Sequence, residues 1–166
     1  MRLASKSIDH GGVYDRKYTQ YGDNISPHID WSEFPDKTIT FILMVDDADA
    51  PGGVWNHWMV FDIPYTVTEF KENQWQGKVA TNSYGEQRYM GPFPANTLPH
   101  QYEFKMYALN KRLDLSTAMN SKAIMMEAHH SVIDTAVLGA RYNKTDQSFG
   151  GTTENPGIQG TGEIPA

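Results

Sequence analysis

Three aspartates and two histidines in this sequence could form a small binding site, because of their chemistry and their positions at the ends of predicted strands. Asp46 and Asp47 end an apolar run, Asp49 follows shortly after, and His57 comes after a turn of proline and glycines. A second histidine, His100, precedes another alternating segment. Carboxylates and imidazoles exchange protons or hold ligands when a fold brings them together, so the elements that carry them decide the chemistry.

Two predicted strands position the aspartates and the first histidine. Residues 39–45 form an almost unbroken apolar run, which is typical of a strand buried on both faces. Residues 57–63 alternate, and this pattern places His57 on the same face as Met59. Residues 50–53 contain proline and two glycines, so we expect them to reverse the chain between the two strands.

A third predicted strand, residues 101–109, carries the second histidine. Its alternation places Tyr102 on one face, and His100 has the same parity as Tyr102. If the strand ends converge, an Asp/His/His/Tyr cluster forms beside the connection 77–100, which is rich in glycine, proline and asparagine. A carboxylate that accepts a hydrogen bond from one imidazole nitrogen leaves the other nitrogen free to donate into a pocket. Ligands with only acceptor atoms, such as phosphate, suit that pocket.

Structural explanations compete with this interpretation. Aspartates after a strand most often bind their own backbone in a turn, and this explanation is favoured for Asp46. An isolated histidine is more often a structural residue, and we keep this interpretation for His10, His28 and His129. Tyr102 is most simply a core residue. The cluster therefore becomes specific only when its motifs are taken together.

One helix is predicted late in the chain, followed by a tail. Ser121 suits the N-cap of this helix and Gly139 suits its C-cap. Two apolar stripes with a spacing of four residues lie between them: Ile124, Ala128, Val132 and Ala136, and Met125, His129, Ile133 and Val137. Residues 144–166 are rich in Gly, Thr, Asn, Pro and Gln, so we expect a flexible tail after a domain formed by residues 1–143.

Composition argues against several classes of protein. The 166 residues suit one domain, and a net charge of −6 with scattered basic residues argues against a nucleic-acid-binding surface. The absence of cysteine leaves no thiol nucleophile and no cysteine-bound metal. No apolar run reaches the roughly 18–20 residues that span a bilayer, so no transmembrane segment is expected. We expect a cytoplasmic protein, or a periplasmic or secreted one if a signal peptide has been cleaved.

Taken in order, the motifs resemble those of the phosphatidylethanolamine-binding protein family, also called the Raf kinase inhibitor-like family, and especially its bacterial and archaeal branch. The motifs that carry this resemblance are Asp47-Ala-Asp-Ala-Pro51, Gly53-Val-Trp-Asn-His57-Trp58, Tyr89-Met-Gly-Pro-Phe-Pro94 and His100-Gln-Tyr102. Ala48 and Gln101 stand where the family has proline and arginine. These departures leave every presumed pocket side chain in place.

The resemblance implies a mostly β fold, a two-sheet antiparallel β-sandwich with Greek-key connections and one or two peripheral helices. It also implies a pocket for a small anion at one end of the fold. Carried over to this sequence, the ligand-binding residues are Asp47, His57, His100, Tyr102, Gly91, Pro92 and Phe93. The supporting residues are Asp49, Pro51, Trp55 and Pro94.

Three functions remain open at this point. The leading hypothesis is non-enzymatic binding of a phosphate-type anion, such as a phospholipid headgroup, a nucleotide or a phosphorylated peptide, with no cofactor. The resemblance also implies an alternative, a regulator or inhibitor of a kinase or protease through surface contacts, and it makes a homodimer one candidate oligomeric state. The third hypothesis is a metal-dependent hydrolase that uses the same aspartates and histidines, although no His-Glu-x-x-His motif is present.

Overall fold

The structure is a computed structural model that describes residues 1–145. Its elements, in chain order, are β1 (Arg2–Ala4), β2 (Gly12–Val13), β3 (Ile29–Ser32), β4 (Thr40–Asp47), β5 (Trp55–Pro64), β6 (Glu69–Phe70), β7 (Lys78–Val79), β8 (His100–Leu109), α1 (Ser121–Ala128) and β9 (Val132–Tyr142). Short 3-10 helices occupy Arg16–Tyr18 and His129–Ser131. The fold is mostly β with one helix, as predicted. The predicted tail lies outside the described residues from residue 146 onward.

The strands form two sheets. The smaller sheet has the order β1-β3-β6, and the larger has the order β2-β9-β8-β4-β5-β7. Paired strands are antiparallel except β2 and β9, which run parallel. The prediction of a wholly antiparallel arrangement is therefore wrong at this one edge of the larger sheet.

Both faces of the larger sheet are covered. On one face, Trp31 of β3 lies edge-on to Phe41 of β4, with ring centroids 5.6 Å apart, and Phe70 of β6 lies 5.2 Å from Trp31. On the other face, Ile42 of β4 packs in a separate core with Ile124 of α1. A strand covered on both faces has no solvent-facing side that favours polar residues, which explains the unbroken apolar sequence of β4.

The helix is shorter than predicted. It ends at Ala128, and its N-cap is Asn120 rather than Ser121, because the Asn120 side chain accepts a hydrogen bond from the N–H of Ala123 at 2.9 Å. The segment beyond it forms β9, so Gly139 lies inside a strand and is not a C-cap. Within residues 1–145, no helix is long and apolar enough to cross a membrane.

The spacing of apolar residues explains this error. Residues four apart share one face of a helix, but residues any even number apart also share one face of a strand. β9 pairs with β8 along its whole length, from Val132 opposite Leu109 to Tyr142 opposite His100. This pairing supplies hydrogen bonds that a local pattern does not reveal, and tertiary pairing therefore decided the structure of the segment.

A β-bulge in β5 changes the direction of His57. Val45 of β4 pairs with Trp58, whereas Asp46 pairs with Asn56, so His57 is an extra residue with no partner in β4. A bulge of this kind interrupts the alternation of faces along a strand and redirects the side chain at that point.

The bulge places the His57 side chain on the opposite face of the sheet from the one predicted. The His57 ring lies 5.4 Å from the ring of Tyr102, which belongs to the core beneath the smaller sheet. Met59 belongs to the core on the opposite face. The prediction that His57 and Met59 share a face is therefore wrong, and the bulge is what brings His57 towards His100.

Candidate functional site

Asp47 and His100 meet where β4 ends and β8 begins. The carboxylate Oδ2 of Asp47 lies 2.6 Å from Nδ1 of His100. Only 6% of the Asp47 side chain and 4% of the His100 side chain are exposed. Asp47 therefore orients this imidazole, as the sequence predicted for one of the two histidines.

The second oxygen of Asp47 stabilises the turn that follows β4. Oδ1 accepts a hydrogen bond from the N–H of Asp49 at 2.9 Å. The carboxylate of Asp49 accepts from the N–H of Gln101 at 2.8 Å, and the N–H of Ala48 donates to the Gln101 carbonyl at 2.9 Å. Asp49 thus ties the turn to β8, which is the supporting role that the resemblance implied.

The second nitrogen of His100 faces an oxygen of the loop before β8. Nε2 lies 3.1 Å from Oδ1 of Asn96, and the same oxygen accepts a hydrogen bond from the N–H of Leu98 at 3.0 Å. The N–H of Leu98 identifies this atom as the amide oxygen, since a nitrogen there would place two donors together. His100 then has an acceptor beside each nitrogen, and its hydrogen bonding is complete only when both nitrogens carry protons.

His57 is held by backbone carbonyls rather than by a carboxylate. Its Nδ1 donates to the carbonyls of Met90 at 2.8 Å and Gly91 at 3.1 Å. Burial lowers the pKa of His57 below its ordinary value, and this effect outweighs the hydrogen bonds to the two carbonyls and the charge of Asp47. The neutral ring therefore carries its proton on Nδ1, and Nε2 is left as an acceptor. His57 can therefore donate from Nε2 into the pocket only after it takes a second proton.

Tyr102 lies beneath the site. Its ring is 5.4 Å from the His57 ring and 6.4 Å from the His100 ring, so it packs against both imidazoles. Burial, followed by the negative charge of Asp47, raises the pKa of Tyr102, and its hydroxyl stays protonated. That hydroxyl is buried and interacts with the Asp47 carboxylate. Tyr102 thus positions the two imidazoles and does not line the cavity above them.

A cavity of about 210 Å³ opens above these residues, and we call it the histidine cavity. Its lining residues are Asp47, Ala50, Pro51, Trp55, His57, Tyr84, Phe93, Pro94, Ala95 and His100. The structure therefore brings together three of the four predicted pocket side chains, together with the predicted Phe93, Pro51, Trp55 and Pro94. Within residues 1–145, no three His, Asp or Glu side chains are placed to hold a metal ion.

The backbone of Gly91 and Pro92 is not available to an anion. The N–H of Gly91 donates to Oδ1 of Asn24 at 2.7 Å, and proline has no N–H. The backbone N–H groups of these two predicted ligand-binding residues are therefore not placed to donate to the pocket. Gly91 acts by its size, because a Cβ there would lie 2.0 Å from the carbonyl oxygen of Tyr18. Its carbonyl also receives one of the hydrogen bonds of His57.

Comparison with known proteins agrees with the resemblance seen in the sequence. A family model described as phosphatidylethanolamine-binding protein matches residues 4–143. The chain belongs to the phosphatidylethanolamine-binding protein family. A protein named UPF0098 from Aquifex aeolicus is 36% identical over 146 residues, covering 78% of this chain and 85% of its own. A second UPF0098 protein, from Methanothermobacter thermautotrophicus, is 32% identical over 151 residues, covering 87% and 99%.

Two solved structures share the fold of this family member. A phosphatidylethanolamine-binding protein homolog from Chlamydia trachomatis superposes with a TM-score of 0.82 at 29% identity, covering 86% of this chain and 97% of its own. Escherichia coli YbcL, described as a member of the mammalian family, superposes with a TM-score of 0.79 at 26% identity and the same coverage. These likenesses extend over nearly all the described residues.

Sequence reasoning missed three residues of the histidine cavity in this family member. They are Ala50, Tyr84 and Ala95. Tyr84 packs edge-on against Trp55 at 5.5 Å and against His57 at 5.5 Å, so it forms one wall. The sequence signal for Tyr84 is the aromatic content of the connection 77–100. The sequence does not distinguish Tyr84 from Tyr89, which lies elsewhere and donates its hydroxyl to the Tyr18 carbonyl.

Proposed function

We propose that the chain binds a small phosphate-type oxyanion in the histidine cavity without converting it. One observation carries this proposal. Both imidazoles line the cavity with Nδ1 already engaged, His100 by Asp47 and His57 by the Met90 and Gly91 carbonyls. Each histidine therefore has Nε2 as its remaining polar atom, and the two nitrogens offer complementary hydrogen bonds to one ligand.

The two nitrogens would bind a hydrogen-bearing oxyanion. His100 would donate from Nε2 to an unprotonated oxygen, in place of its contact with Asn96. Neutral His57 would accept at Nε2 from a P–O–H group, as in hydrogen phosphate or dihydrogen phosphate. The hydrogen bond from Nδ1 of His100 occupies one oxygen of Asp47, which turns that part of the carboxylate away from the ligand.

Protonation of His57 should strengthen this binding. A second proton turns Nε2 into a charged donor, and hydrogen bonds to charged groups are stronger than those between neutral groups. Burial lowers the pKa of His57, so this proton is taken up below the ordinary histidine value of about 6.5. Affinity for phosphate is therefore expected to rise as the pH falls below that value.

The size and walls of the cavity suit a headgroup. Its volume of about 210 Å³ compares with roughly 30 Å³ for one water molecule, which leaves room for a phosphate group and a short substituent. Trp55, Tyr84 and Phe93 would contact the substituent. The name of the family refers to a phospholipid whose headgroup joins a phosphate to a small amine, which fits these dimensions.

Calorimetric titration with inorganic phosphate tests the proposal. Loss of the charged hydrogen bond in His100→Ala should weaken binding about tenfold or more. His130→Ala, which removes an exposed histidine outside the cavity, is the matched control and should bind like wild type. Equal binding by wild type and His100→Ala would refute the assignment.

Asn96→Ala provides a second test that leaves both histidines intact. The amide oxygen of Asn96 contacts Nε2 of His100, which is the atom proposed to bind the anion. Asn96 therefore competes with the ligand for this nitrogen. Removing it should leave phosphate affinity unchanged or raise it severalfold. A marked loss of affinity would mean that Asn96 contributes to the site instead of competing for it.

Exposed apolar side chains favour a second candidate function, the inhibition of a kinase or protease through surface contacts. Trp55, Phe93 and Leu98 near the cavity mouth are 38%, 48% and 66% exposed. A cluster of this kind is typical of an interaction surface. Assays of purified serine proteases and kinases with wild type and with Phe93→Ser/Leu98→Ser would test it. Inhibition lost in the double variant supports the idea, and unchanged enzyme activity with wild type contradicts it.

We also propose three further properties of the chain. They are packing of the two sheets as a sandwich with Greek-key connections, a homodimer and a cytoplasmic location. The contact between Trp31 and Phe41 supports face-to-face packing of the two sheets. Sedimentation of the full chain would test the dimer.

A further inference from the structure

The histidines of the chain differ in which ring nitrogen is left free. A neutral imidazole has one N–H and one lone pair, so the partner of one nitrogen decides what the other can do. His28 has both nitrogens engaged, since Nδ1 accepts from the N–H of Lys6 at 3.1 Å and Nε2 lies 2.9 Å from the carboxylate of Glu69. His100 has an acceptor beside each nitrogen. Neither ring presents an unengaged lone pair.

His57 and His129 share a different arrangement. In each ring Nδ1 lies beside a backbone carbonyl, which can only accept, so Nδ1 carries the proton and Nε2 carries the lone pair. His129 is exposed, and its ring lies against that of His130 with centroids 3.8 Å apart. The His57 ring instead lines the histidine cavity. His57 thus combines a fixed lone pair with an enclosed space for a ligand.

Nε2 is the polar atom that His57 presents to the histidine cavity. It makes no hydrogen bond among residues 1–145, yet it is not shut off from solvent as the indole nitrogen of Trp58 is. The free space beside this ring is the histidine cavity. Burial lowers the pKa of His57, so at about pH 7 the ring is neutral and its lone pair is available.

A phosphoryl group in the histidine cavity would contact both imidazoles. The lone pair of His57 would face the phosphorus, and Nε2 of His100 would donate to a phosphoryl oxygen in place of its contact with Asn96. Both oxygens of Asp47 are already engaged, by Nδ1 of His100 at 2.6 Å and by the N–H of Asp49 at 2.9 Å. A nucleophile beside a donor suits phosphoryl transfer, because catalysis of that reaction consists mainly of positioning and stabilisation of charge.

We propose that His57 is a phosphoacceptor, which takes a phosphoryl group from an acyl phosphate onto Nε2. This inference rests on the function proposed above, because the phosphoryl group would occupy the oxyanion position. The lone pair of Nε2 forms the bond to phosphorus, the P–O bond to the acyl group breaks, and the carboxylate leaves with the electron pair. A carboxylate is a weak base and needs no proton to leave. Inorganic phosphate would have to expel hydroxide, so it is bound without being converted.

The carbonyls of Met90 and Gly91 would stabilise the product. The phosphorylated ring keeps its proton on Nδ1 and carries a positive charge, which the two carbonyl oxygens at 2.8 Å and 3.1 Å favour. Since Nδ1 stays engaged, only the Nε2 isomer of phosphohistidine is expected. Nε2 of His100 would donate to an oxygen of the attached group.

Incubation of the full chain with acetyl phosphate tests the proposal, with mass spectrometry and ³¹P NMR under alkaline conditions, which preserve phosphohistidine. We expect one phosphoryl group, attached to Nε2 of His57. His129 is the internal reference, because its ring has the same type of hydrogen bond but no cavity. Phosphorylation of His129 should be at least about tenfold slower than that of His57, since nothing there positions the donor.

Variants and competition identify the groups that take part. His57→Gln should abolish the phosphorylation, and the matched control His129→Gln should leave the rate at His57 unchanged. His100→Gln should slow the reaction at His57 about tenfold or more, through loss of a donor to the phosphoryl oxygens. Wild type gives a test that does not depend on the folding of a variant. Excess inorganic phosphate should slow the reaction of His57 by occupying the cavity, and should leave that of His129 unchanged.

Several outcomes would overturn the proposal. If calorimetry shows phosphate binding that depends on His100 but acetyl phosphate leaves no phosphohistidine at His57, this inference fails and oxyanion binding stands. Equal rates at His57 and His129, or attachment at Nδ1, would show that the cavity plays no part. Phosphorylation of His57 that excess phosphate does not slow would count against oxyanion binding in the histidine cavity as well. Neither binding nor phosphorylation would contradict both proposals.

Discussion

Nδ1 of His100 donates to the carboxylate of Asp47 over 2.6 Å, and both side chains are almost completely removed from solvent. The two residues are 53 positions apart in the chain, and the pairing of β4 with β8 brings them together. A buried pair of this kind holds the imidazole in one orientation. It also makes each partner depend on the other for its stability.

This dependence predicts strong coupling between the two residues. Truncation of either one to alanine should lower the free energy of unfolding by about 3–5 kcal/mol, because the remaining group stays buried without its partner. A double-mutant cycle measured by urea denaturation should give a coupling energy of about 1–3 kcal/mol.

The exposed pair of Arg112 and Asp114 is the control for this cycle. These side chains are also 2.6 Å apart, but 52% and 66% of their surfaces are exposed. Their coupling should stay below about 1 kcal/mol. If the buried and exposed cycles gave the same coupling, the Asp47–His100 bond would not be the stabilising contact described here.

His57 should make stability depend on pH in a defined direction. Its pKa in the folded state is lowered by burial, whereas the unfolded chain has the ordinary value of about 6.5. The unfolded state therefore binds more protons below that value, and stability falls as the pH drops from about 6.5 through the folded-state pKa. The comparison of wild type with His57→Gln, by urea denaturation in phosphate-free buffer, isolates this contribution from the other histidines.

Wild type should lose stability relative to His57→Gln as the pH falls over this range. If wild type instead gained stability relative to the variant on acidification, the folded-state pKa of His57 would be raised, and its neutral tautomer would not be the form that lines the cavity.

Gly91 should not tolerate even a methyl group. An added Cβ would lie 2.0 Å from the backbone oxygen of Tyr18 and 2.8 Å from Cα of Thr19, and neither atom can move alone. Gly91→Ala should therefore destabilise the fold by about 3 kcal/mol or more. At Gly139 the nearest atom is the end of the flexible Gln101 side chain, so Gly139→Ala should change stability by less than about 1 kcal/mol. Thermal or urea unfolding distinguishes the two, and similar values would contradict the packing of this loop.

The N-cap of α1 offers a further test. Asn120→Ala removes the hydrogen bond to the N–H of Ala123 and should lower stability by about 1 kcal/mol. Ser121→Ala changes a first-turn residue that makes no capping bond and should alter stability by less than about 0.5 kcal/mol. The reverse order of the two effects would show that Ser121 caps the helix after all.

The sequence was sufficient to predict the elements that carry the site. β4, β5 and β8 follow from apolar runs and alternation, and the approach of Asp47 to His100 follows from placing carboxylate and imidazole at the ends of such strands. These features depend on local patterns and on the general rule that strand ends meet at the edge of a sheet.

The features that the sequence could not reveal depend on pairing. A spacing of four residues fits both a helix and a strand, so the sequence alone predicts a helix over the first part of β9. The bulge at His57 depends on how β5 aligns with β4, and no residue type marks it. Two further features depend on contacts across distant segments: the occupied N–H of Gly91, and the amide oxygen of Asn56, which has no donor among residues 1–145. Such contacts are set by the tertiary structure and leave no pattern in the chain.

The most direct test of oxyanion binding is long-range ¹H–¹⁵N NMR of the histidine rings with and without inorganic phosphate. Without phosphate, His57 should show a proton on Nδ1 alone, and His100 should show a proton on the Nδ1 that donates to Asp47. Phosphate should shift Nε2 of both rings together, with His57 Nε2 moving towards the protonated position. Unchanged Nε2 resonances of His57 and His100 at saturating phosphate would contradict binding between them.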